Sequence, residues 1–236
     1  MDIRMSIILH ETQPETTSGT RRHTQHVVKE LSESIRERDR LTYDHCRRVA
    51  IYAQRLARAA DLQRAAARTV ALAGLVHDLG KTWMQNEVLN KTSALSQDER
   101  HEMERHPLIA ARIMLAYGVP NDMIDIVQHH HEAYDGSGYP FGLQGVAIPL
   151  GARILSIADV FDALTTQRPY KEAMSLAVAR DHIIARAGRL FDPAITETFL
   201  HLLDERPDFQ ITTGASCPLQ ESDPLWAAHD RFDMAS

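Results

Sequence analysis

Apolar residues recur every three to four positions through most of residues 27–203, as in helices that bury one face against a core. No stretch shows the sustained two-residue alternation that is typical of a strand. The pattern therefore predicts an all-α fold, with one helical domain over residues 26–204. Periodicity is missing before this range and fades after it, which predicts a flexible N-terminal arm over 1–25 and an irregular tail over 205–236.

The first predicted helix carries apolar residues at four-residue spacing. Val27, Leu31 and Ile35 are separated by charged residues of both signs. This arrangement favours a partly exposed helix or a contact with a second protein, either another copy of the chain or a regulatory partner.

Histidines stand on the apolar stripes of the next two helices. His45 shares the stripe of its helix and should face the interior, where a lone histidine is more often a hydrogen-bonded core residue than a ligand. The following alanine-rich helix ends in the sequence HDLGK at 77–81, with Gly80 as its expected cap. His77 and Asp78 can offer a nitrogen and a carboxylate to one metal. Alternatively, His77 hydrogen-bonds its neighbour and closes the helix.

A Ser-x-x-Glu capping box at Ser96 predicts that another helix begins at residue 97. Pro107 suits the first turn of a fresh helix, so His106 should stand at a junction of two helices, where a side chain is readily turned into a pocket. His101 falls among charged residues, and we expect it at the surface.

Three consecutive histidines at 129–131 end an apolar helix and precede a loop with two glycines. Neutral imidazole is a versatile ligand for first-row transition metals. Such a run would make a poor core, but it could hold a metal beside a substrate. The alternative is a solvated histidine tract on a loop, and the remaining histidines and carboxylates decide between the two.

Two carboxylates, Asp159 and Asp162, interrupt an otherwise apolar helix that begins near Pro149. A buried carboxylate needs a partner, because the burial of an unpaired charge is strongly unfavourable. A metal ion and an arginine are the two candidates.

Composition narrows the class of protein. With 236 residues, 44% apolar and 25% charged, the chain is large enough for one substantial core. Its formal net charge of −6 argues against binding of long nucleic acid, so a small anionic ligand would need metal ions or a few local cations. Cys46 and Cys217 form no zinc or disulfide pattern, and the apolar residues 5–9 are too few to span a bilayer. We therefore expect a cytoplasmic protein without membrane association.

In this order, the motifs resemble those of the HD-GYP family, the bacterial cyclic-di-GMP phosphodiesterases within the HD superfamily of metal-dependent phosphohydrolases. The resemblance covers about residues 40–204. It rests on His45, HDLGK at 77–81, His106-Pro107, HHE at 130–132, DGSGYP at 135–140, Ala158-Asp159, RPYK at 168–171 and Phe191-Asp192-Pro193. The family implies a single helical bundle of the HD superfamily with an additional GYP loop and short N- and C-terminal extensions.

The resemblance also implies which side chains bind metal. Four correspond to the ligands shared by HD proteins: His45, His77, Asp78 and Asp159. Three more correspond to the additional ligands of a second metal: His106, His130 and His131. Asp78 would bridge the two ions. His129 is an extra histidine before the family's pair, and we expect it outside the coordination shell or at the surface.

A reaction follows from the same resemblance. Family members open cyclic-di-GMP to linear pGpG, and some continue to GMP, with a bridging water that two metals activate. Asp78 would act in catalysis through the metals. Lys81 would bind substrate and act in catalysis, either by donating to a phosphoryl oxygen or by assisting the leaving group.

The remaining substrate-binding residues implied by the family lie on two loops. Arg168 and Lys171 correspond to a clamp for the substrate phosphates, for which an arginine fork is well suited. Gly138 would allow a close backbone approach to the nucleotide, which Tyr139 and Pro140 would frame.

Seven implied ligands, one of them shared, predict that two divalent ions bind. Some relatives use a Glu one turn before the first ligand histidine to help hold a third ion, and this chain has Leu41 there. Asp44 precedes His45 by one residue, so it should point to a different face of the helix. Mixed nitrogen and oxygen ligands favour iron or manganese over zinc, nickel or magnesium.

Two departures from the family pattern concern the loop. Ala133 stands where relatives often carry Arg or Lys, and Tyr134 stands at the usual Trp position, so both bear on rate and specificity. The competing functions are a catalytically weak cyclic-di-GMP receptor and an HD phosphohydrolase that acts on another nucleotide. The intact ligands count against the first, and the GYP loop together with RPYK counts against the second.

Overall fold

The computed structural model of the protein describes residues 17–89, 91, 93–167 and 172–205. Ten α-helices lie in these ranges: α1 Thr17–Arg38, α2 Arg40–Ala59, α3 Arg64–Val76, α4 Asn86–Leu89, α5 Gln97–Met103, α6 His106–Ala116, α7 Asn121–Gln128, α8 Leu150–Thr165, α9 Leu176–Ile184 and α10 Pro193–Glu205. Short 3₁₀ helices occupy Leu79–Trp83 and Gly145–Ala147. No strand forms in the described part of the chain, so the prediction of an all-α fold is confirmed.

Helix α2 packs most extensively against α3 and α8, and it also contacts α1 and α10. Small residues let α2 and α3 approach closely, since a Cβ added to Gly74 would stand only 2.9 Å from the Cα of Ala50. The ring of Tyr52 on α2 packs edge-on against Phe161 of α8, which in turn packs against Phe199 of α10. The helices that carry His45 and Asp159 are therefore fixed against each other by a shared aromatic core.

Helix α1 begins earlier than the sequence pattern indicated. It starts at Thr17, so residues 17–25 of the predicted arm are helical. Thr24 and Gln25 are buried although they are polar, and the Thr24 hydroxyl donates to the carbonyl oxygen of Thr20 at 2.9 Å. The boundary at residue 25 was wrong because apolar periodicity does not register polar residues that face a core.

The apolar stripe of α1 is covered within the chain. Val27, Leu31 and Ile35 are all buried and belong to the main core, where α1 contacts α2 and α3. The stripe that favoured a partly exposed helix or a dimer contact is therefore used for intramolecular packing.

Gly80 does not cap a helix. Helix α3 ends at Val76, and Gly80 lies inside the 3₁₀ helix that follows. A Cβ at this position would stand 2.0 Å from the carbonyl oxygen of His106. The glycine is needed because the turn that carries the HD motif packs directly on the backbone at the start of α6.

The predicted capping box at the start of α5 is confirmed. The Ser96 hydroxyl accepts from the backbone N–H of Glu99, and the Glu99 carboxylate accepts from the backbone N–H of Ser96. At the other end of the chain, α10 continues to Glu205. The rest of the predicted extensions, residues 1–16 and 206–236, lies outside the described residues. None of the described helices has the length and apolar character that a bilayer crossing requires.

Candidate active site

The seven predicted metal ligands meet in one cluster, although they come from separate elements. They lie within α2 and α8, after α3 and α7, and at the first position of α6. Their ligand atoms form three overlapping groups, within each of which all atoms lie within 4.8 Å of one another: His45, His77 and Asp78; His77, His130 and Asp159; and His106, His130 and His131.

Three of the histidines are held by a nearby backbone carbonyl. Nδ1 of His77, His106 and His130 donates to the carbonyl oxygen three residues earlier, at 2.8, 2.8 and 2.6 Å. Each of these carbonyls lies in the last turn of a helix, where helical partners run out. Because a carbonyl only accepts, the proton stays on Nδ1 and the lone pair of Nε2 is free to bind a metal.

His45 is held by a side chain instead. Its Nδ1 lies 2.7 Å from Oδ2 of Asp162, and its Nε2 lies 3.0 Å from Oδ1 of Asp159. Asp162 also accepts from Arg48, whose Nε is 2.6 Å from Oδ1. Of the two carboxylates on α8, Asp159 joins the cluster, whereas Asp162 has the arginine partner that was the alternative to a metal.

The two oxygens of Asp78 face different histidines of the cluster. Oδ2 lies 3.8 Å from Nε2 of His45 and 3.6 Å from Nε2 of His77, whereas Oδ1 lies 3.4 Å from Nε2 of His106. Oδ1 of Asp78 and Nε2 of His77 are buried side-chain atoms that have no hydrogen-bond partner within the described ranges. Buried polar atoms of this kind are unfavourable unless a ligand satisfies them.

The charge distribution in the cluster fits bound cations. Burial lowers the pKa of His106 to about 3 and that of His130 to about 4, so both rings are neutral. Their Nε2 atoms are 3.4 Å apart, which places two lone pairs against each other beside the Asp78 carboxylate. Although burial would raise the pKa of Asp78, Lys81 and the neighbouring histidines hold it well below its usual range. Divalent cations that prefer mixed nitrogen and oxygen ligands would satisfy all these atoms.

Lys81 is anchored on the same carboxylate. Its Nζ donates to Oδ2 of Asp78 at 2.7 Å. Burial would lower the pKa of Lys81, but Asp78 and then Asp159 raise it, so the ammonium keeps its charge. The side chain is also 24% exposed. A permanent cation that is partly open to solvent beside the cluster can bind an anionic phosphoryl group.

Glu132 organises the loop that follows the histidine run. Its side chain is buried, with Oε1 accepting from the backbone N–H of Phe141 at 2.8 Å and Oε2 accepting from that of Leu143 at 3.0 Å. No role was predicted for this residue from the sequence. One sequence feature could have identified it: Glu132 is an acidic residue directly after two candidate ligands, in a loop whose backbone N–H groups need acceptors.

Gly138 makes a close approach, but to the chain itself. A Cβ at this position would stand 2.1 Å from the backbone nitrogen of Ala133 and 2.5 Å from the carbonyl oxygen of His131. In the described structure, a glycine is therefore needed at position 138 because the chain's own backbone is so close. This differs from the expected approach to a nucleotide. Ala133 is itself buried, at 3% exposure, so the small side chain also suits this contact.

Tyr139 connects the loop to the cluster. Its ring packs on that of His131, with centroids 4.9 Å apart and planes inclined by 33°, and a cis peptide bond joins it to Pro140. Burial, followed by the charges of Asp78 and Asp159, raises the pKa of Tyr139 above its ordinary value. The phenol therefore stays protonated and can donate a hydrogen bond.

The other predicted positions lie away from the cluster or outside the described residues. His101 is exposed, as expected. His129 belongs to none of the three ligand groups; its Nδ1 donates to the carbonyl oxygen of Asp125 at 2.7 Å. Arg168 and Lys171, the predicted phosphate clamp, lie outside the described residues.

Comparison with known proteins agrees with this architecture. A family model described as HD domain matches residues 28–195. Among solved structures, that of the cyclic GMP-AMP-specific phosphodiesterase V-cGAP3 of V. cholerae superposes with a TM-score of 0.61 at 20% identity, covering 79% of this chain and 50% of that one. At this identity the superposition demonstrates a shared fold.

Curated relatives include enzymes that act on cyclic dinucleotides. The chain is 41% identical over 177 residues to the cyclic di-GMP phosphodiesterase response regulator RpfG of Xanthomonas campestris pv. campestris, a match that covers 73% of this chain and 46% of that protein. It is 35% identical over 206 residues to 3′3′-cGAMP-specific phosphodiesterase 2 of Vibrio cholerae, covering 86% and 37%. The chain thus spans less than half the length of either relative. Because the family model extends from α1 into α10, the chain belongs to the HD domain family, and its motifs are those of the HD-GYP branch.

Proposed function

We propose that this chain is a metal-dependent phosphodiesterase that hydrolyses cyclic-di-GMP to linear pGpG. The observation that carries the proposal is the placement of Asp78. One of its oxygens faces Nε2 of His45 and His77, and the other faces Nε2 of His106. A carboxylate with one oxygen toward each of two ligand groups can bridge two metal ions at the spacing of about 3.5–4 Å that two-metal hydrolytic sites use.

The residues divide into two metal positions that share Asp78. His45, His77, Asp78 and Asp159 would hold one ion. His106, His130 and His131 would hold the other with Asp78. When bound, two divalent ions would lower the pKa of a water molecule and stabilise charge on the phosphoryl oxygens. The mixed ligands favour iron or manganese.

Two further side chains would act on the substrate. Lys81 remains an ammonium next to Asp78, so it can donate to a phosphoryl oxygen or stabilise the leaving oxygen. Tyr139 remains a neutral phenol against His131, so it can orient the substrate by donating a hydrogen bond. A cyclic dinucleotide carries a second phosphate away from the scissile one, which Arg168 and Lys171 would bind.

The binuclear count rests on the start of α2. Leu41 stands one turn before His45, is 62% exposed and has no ligand atom in its side chain. The Asp44 carboxylate instead pairs with Arg40, at 3.1 Å. An anomalous difference map of crystals grown with ferrous or manganous ion should therefore contain two strong metal peaks. A well-occupied third peak, or an ion bound by Asp44, would overturn this count.

Substrate choice is the finer part of the proposal, because the relatives named above act on two different cyclic dinucleotides. Cyclic-di-GMP, 3′,3′-cyclic GMP-AMP and a nucleoside triphosphate should be assayed with added ferrous or manganous ion, and products separated by chromatography. We expect cyclic-di-GMP to be opened to pGpG with the highest kcat/KM, and the same assay detects any GMP formed afterwards.

The other outcomes correspond to the competing functions. Faster hydrolysis of 3′,3′-cyclic GMP-AMP would show that the preferred substrate is instead the one named for the V. cholerae relative. Tight binding of cyclic-di-GMP without turnover under either metal would indicate a receptor. Preference for the triphosphate would indicate a different class of HD phosphohydrolase.

A further inference from the structure

One ligand histidine is fixed in a different way from its neighbours. His77, His106 and His130 each use a carbonyl at a helix end, whereas His45 uses the Asp162 carboxylate. His45 lies in the middle of α2, where carbonyls are already engaged by the helical N–H groups four residues later. A side chain from another helix is therefore the available acceptor for its Nδ1.

Asp162 is well suited to that task. It is fully buried, and its oxygens accept from His45 Nδ1 at 2.7 Å, from Arg48 Nε at 2.6 Å and Nη2 at 3.0 Å, and from the Thr166 hydroxyl at 3.2 Å. Four contacts hold the carboxylate in one orientation and balance its charge with the guanidinium. A carboxylate in such a network keeps the imidazole in a single tautomer and makes its Nε2 a stronger donor to a cation.

We propose that Asp162, supported by Arg48, is a positioning residue that makes the two metal positions unequal, so that the His45 position holds its ion more tightly than the three-histidine position. The three-histidine position is His106, His130 and His131 with the shared Asp78. This inference rests on the proposed two-metal site and adds a rank order of affinity to it.

The distribution of carboxylates supports this order. The His45 ring lies between Asp162 at Nδ1 and Asp159 at Nε2, and one oxygen of Asp78 is also near. The three-histidine position has the shared Asp78 as its one assigned carboxylate; Asp159 also lies within 4.8 Å of His130, but its hydrogen bond is to His45. Positive charge is therefore favoured at the first position.

The test is a titration of the metal-free full chain with Mn²⁺, resolved into two binding steps. In Asp162→Asn, the amide keeps an acceptor for His45 but removes the charge. We expect the tighter step to weaken about 10–100-fold, as is typical when the partner of a metal-bound histidine is changed, and the weaker step to change less than about threefold.

Asp192→Asn is the matched control. Asp192 is also a buried carboxylate paired with an arginine of α8, Arg153. It lies at the start of α10, and its other hydrogen bonds are to backbone N–H groups of that helix, not to a predicted ligand. This variant should lower the melting temperature and leave both Mn²⁺ affinities unchanged. If Asp162→Asn binds Mn²⁺ like the wild type, if both of its steps weaken equally, or if Asp192→Asn has the same effect, the inference is overturned.

A measurement on the wild type keeps the test independent of folding in the variants. The protein loaded with Zn²⁺, a diamagnetic probe, is treated with increasing chelator while its histidine ring signals are followed by NMR. Signals of His106 and His130 should change before those of His45. The opposite order would contradict the inference. A wild type that binds fewer than two ions would overturn the two-metal proposal itself, and this result appears before any variant is made.

Discussion

The ligand cluster and the loop over 132–145 are adjacent in the chain but are held in different ways. Each of four histidines in the cluster has its own acceptor for Nδ1, on helix ends or on α8. In the loop, the carboxylates of Glu132 and Asp135 accept backbone N–H groups, and Gly138 packs on the backbone beside them. The cluster is therefore held through its own side chains, whereas the loop is held through its backbone.

This difference has a functional consequence. If the cluster holds the metals and the loop faces the substrate, substitutions in the two regions should have separable effects. Substitutions in the cluster should remove metal. Substitutions in the loop should impair substrate binding or turnover while the metals remain, because the loop supplies none of the seven predicted metal ligands. The following predictions test that separation, beginning with the largest effect.

Replacement of Asp78 by alanine should have the largest effect. It removes both oxygens of the residue that faces the two ligand groups, so both metals should be lost. We expect turnover to fall by roughly a thousandfold or more, which corresponds to about 4 kcal/mol of transition-state stabilisation. Metal content by plasma mass spectrometry, measured with the rate, checks this. Full metal occupancy in Asp78→Ala would show that the bridging role is misassigned.

Gly138→Ala should displace the loop without removing metal from the cluster. The new Cβ would be 2.1 Å from the Ala133 nitrogen, so the loop must shift, and a displacement of about 1 Å can reduce kcat/KM on the order of a hundredfold. Gly145→Ala is the control, because its Cβ would meet nothing within 4 Å and only its positive φ of 60° opposes the change, by about 1–2 kcal/mol. Equal losses in the two variants, or loss of metal in Gly138→Ala, would break the separation.

Arg168→Ala and Lys171→Ala should weaken substrate binding and leave the metals in place, since the family resemblance assigns these cations to the phosphates. Removal of each charge-assisted contact should raise the free energy of binding by roughly 1.5–3 kcal/mol. Steady-state kinetics on cyclic-di-GMP with parallel metal analysis would measure this. Wild-type KM and turnover in both variants would argue against a clamp.

Glu132→Gln should have the smallest effect. The amide retains one acceptor oxygen but turns an NH₂ group toward the second backbone N–H, so one of the two loop contacts is lost. We expect the free energy of unfolding to fall by about 1–2 kcal/mol and KM to rise several-fold at unchanged metal content. Denaturant unfolding and kinetics measure the two quantities. A loss of metal as large as that of Asp78→Ala would mean that the loop and the cluster are one unit.

Local patterns in the sequence predicted the helices, the capping box at Ser96 and the residue types of the cluster. They did not predict that Glu132 would accept two backbone N–H groups of the loop or that Asp162 would pair with Arg48. Arg48 is 114 residues from Asp162 in the chain, and no periodicity links such positions. Gly80 shows the same limit. A glycine after a helix predicts a helix cap. This glycine is instead needed because it packs directly on the backbone of His106.

The sequence by itself determined which segments are helical, where several of them begin, and which side chains are able to bind metal, since these depend on neighbours within one or two turns. Only the tertiary structure decided that Asp159 faces the cluster while Asp162 faces Arg48, and that the stripe of α1 is covered by the chain itself. The physical reason is that a buried charge or an apolar face is stabilised by whatever lies opposite it. That partner is set by the packing of helices that are distant in the chain.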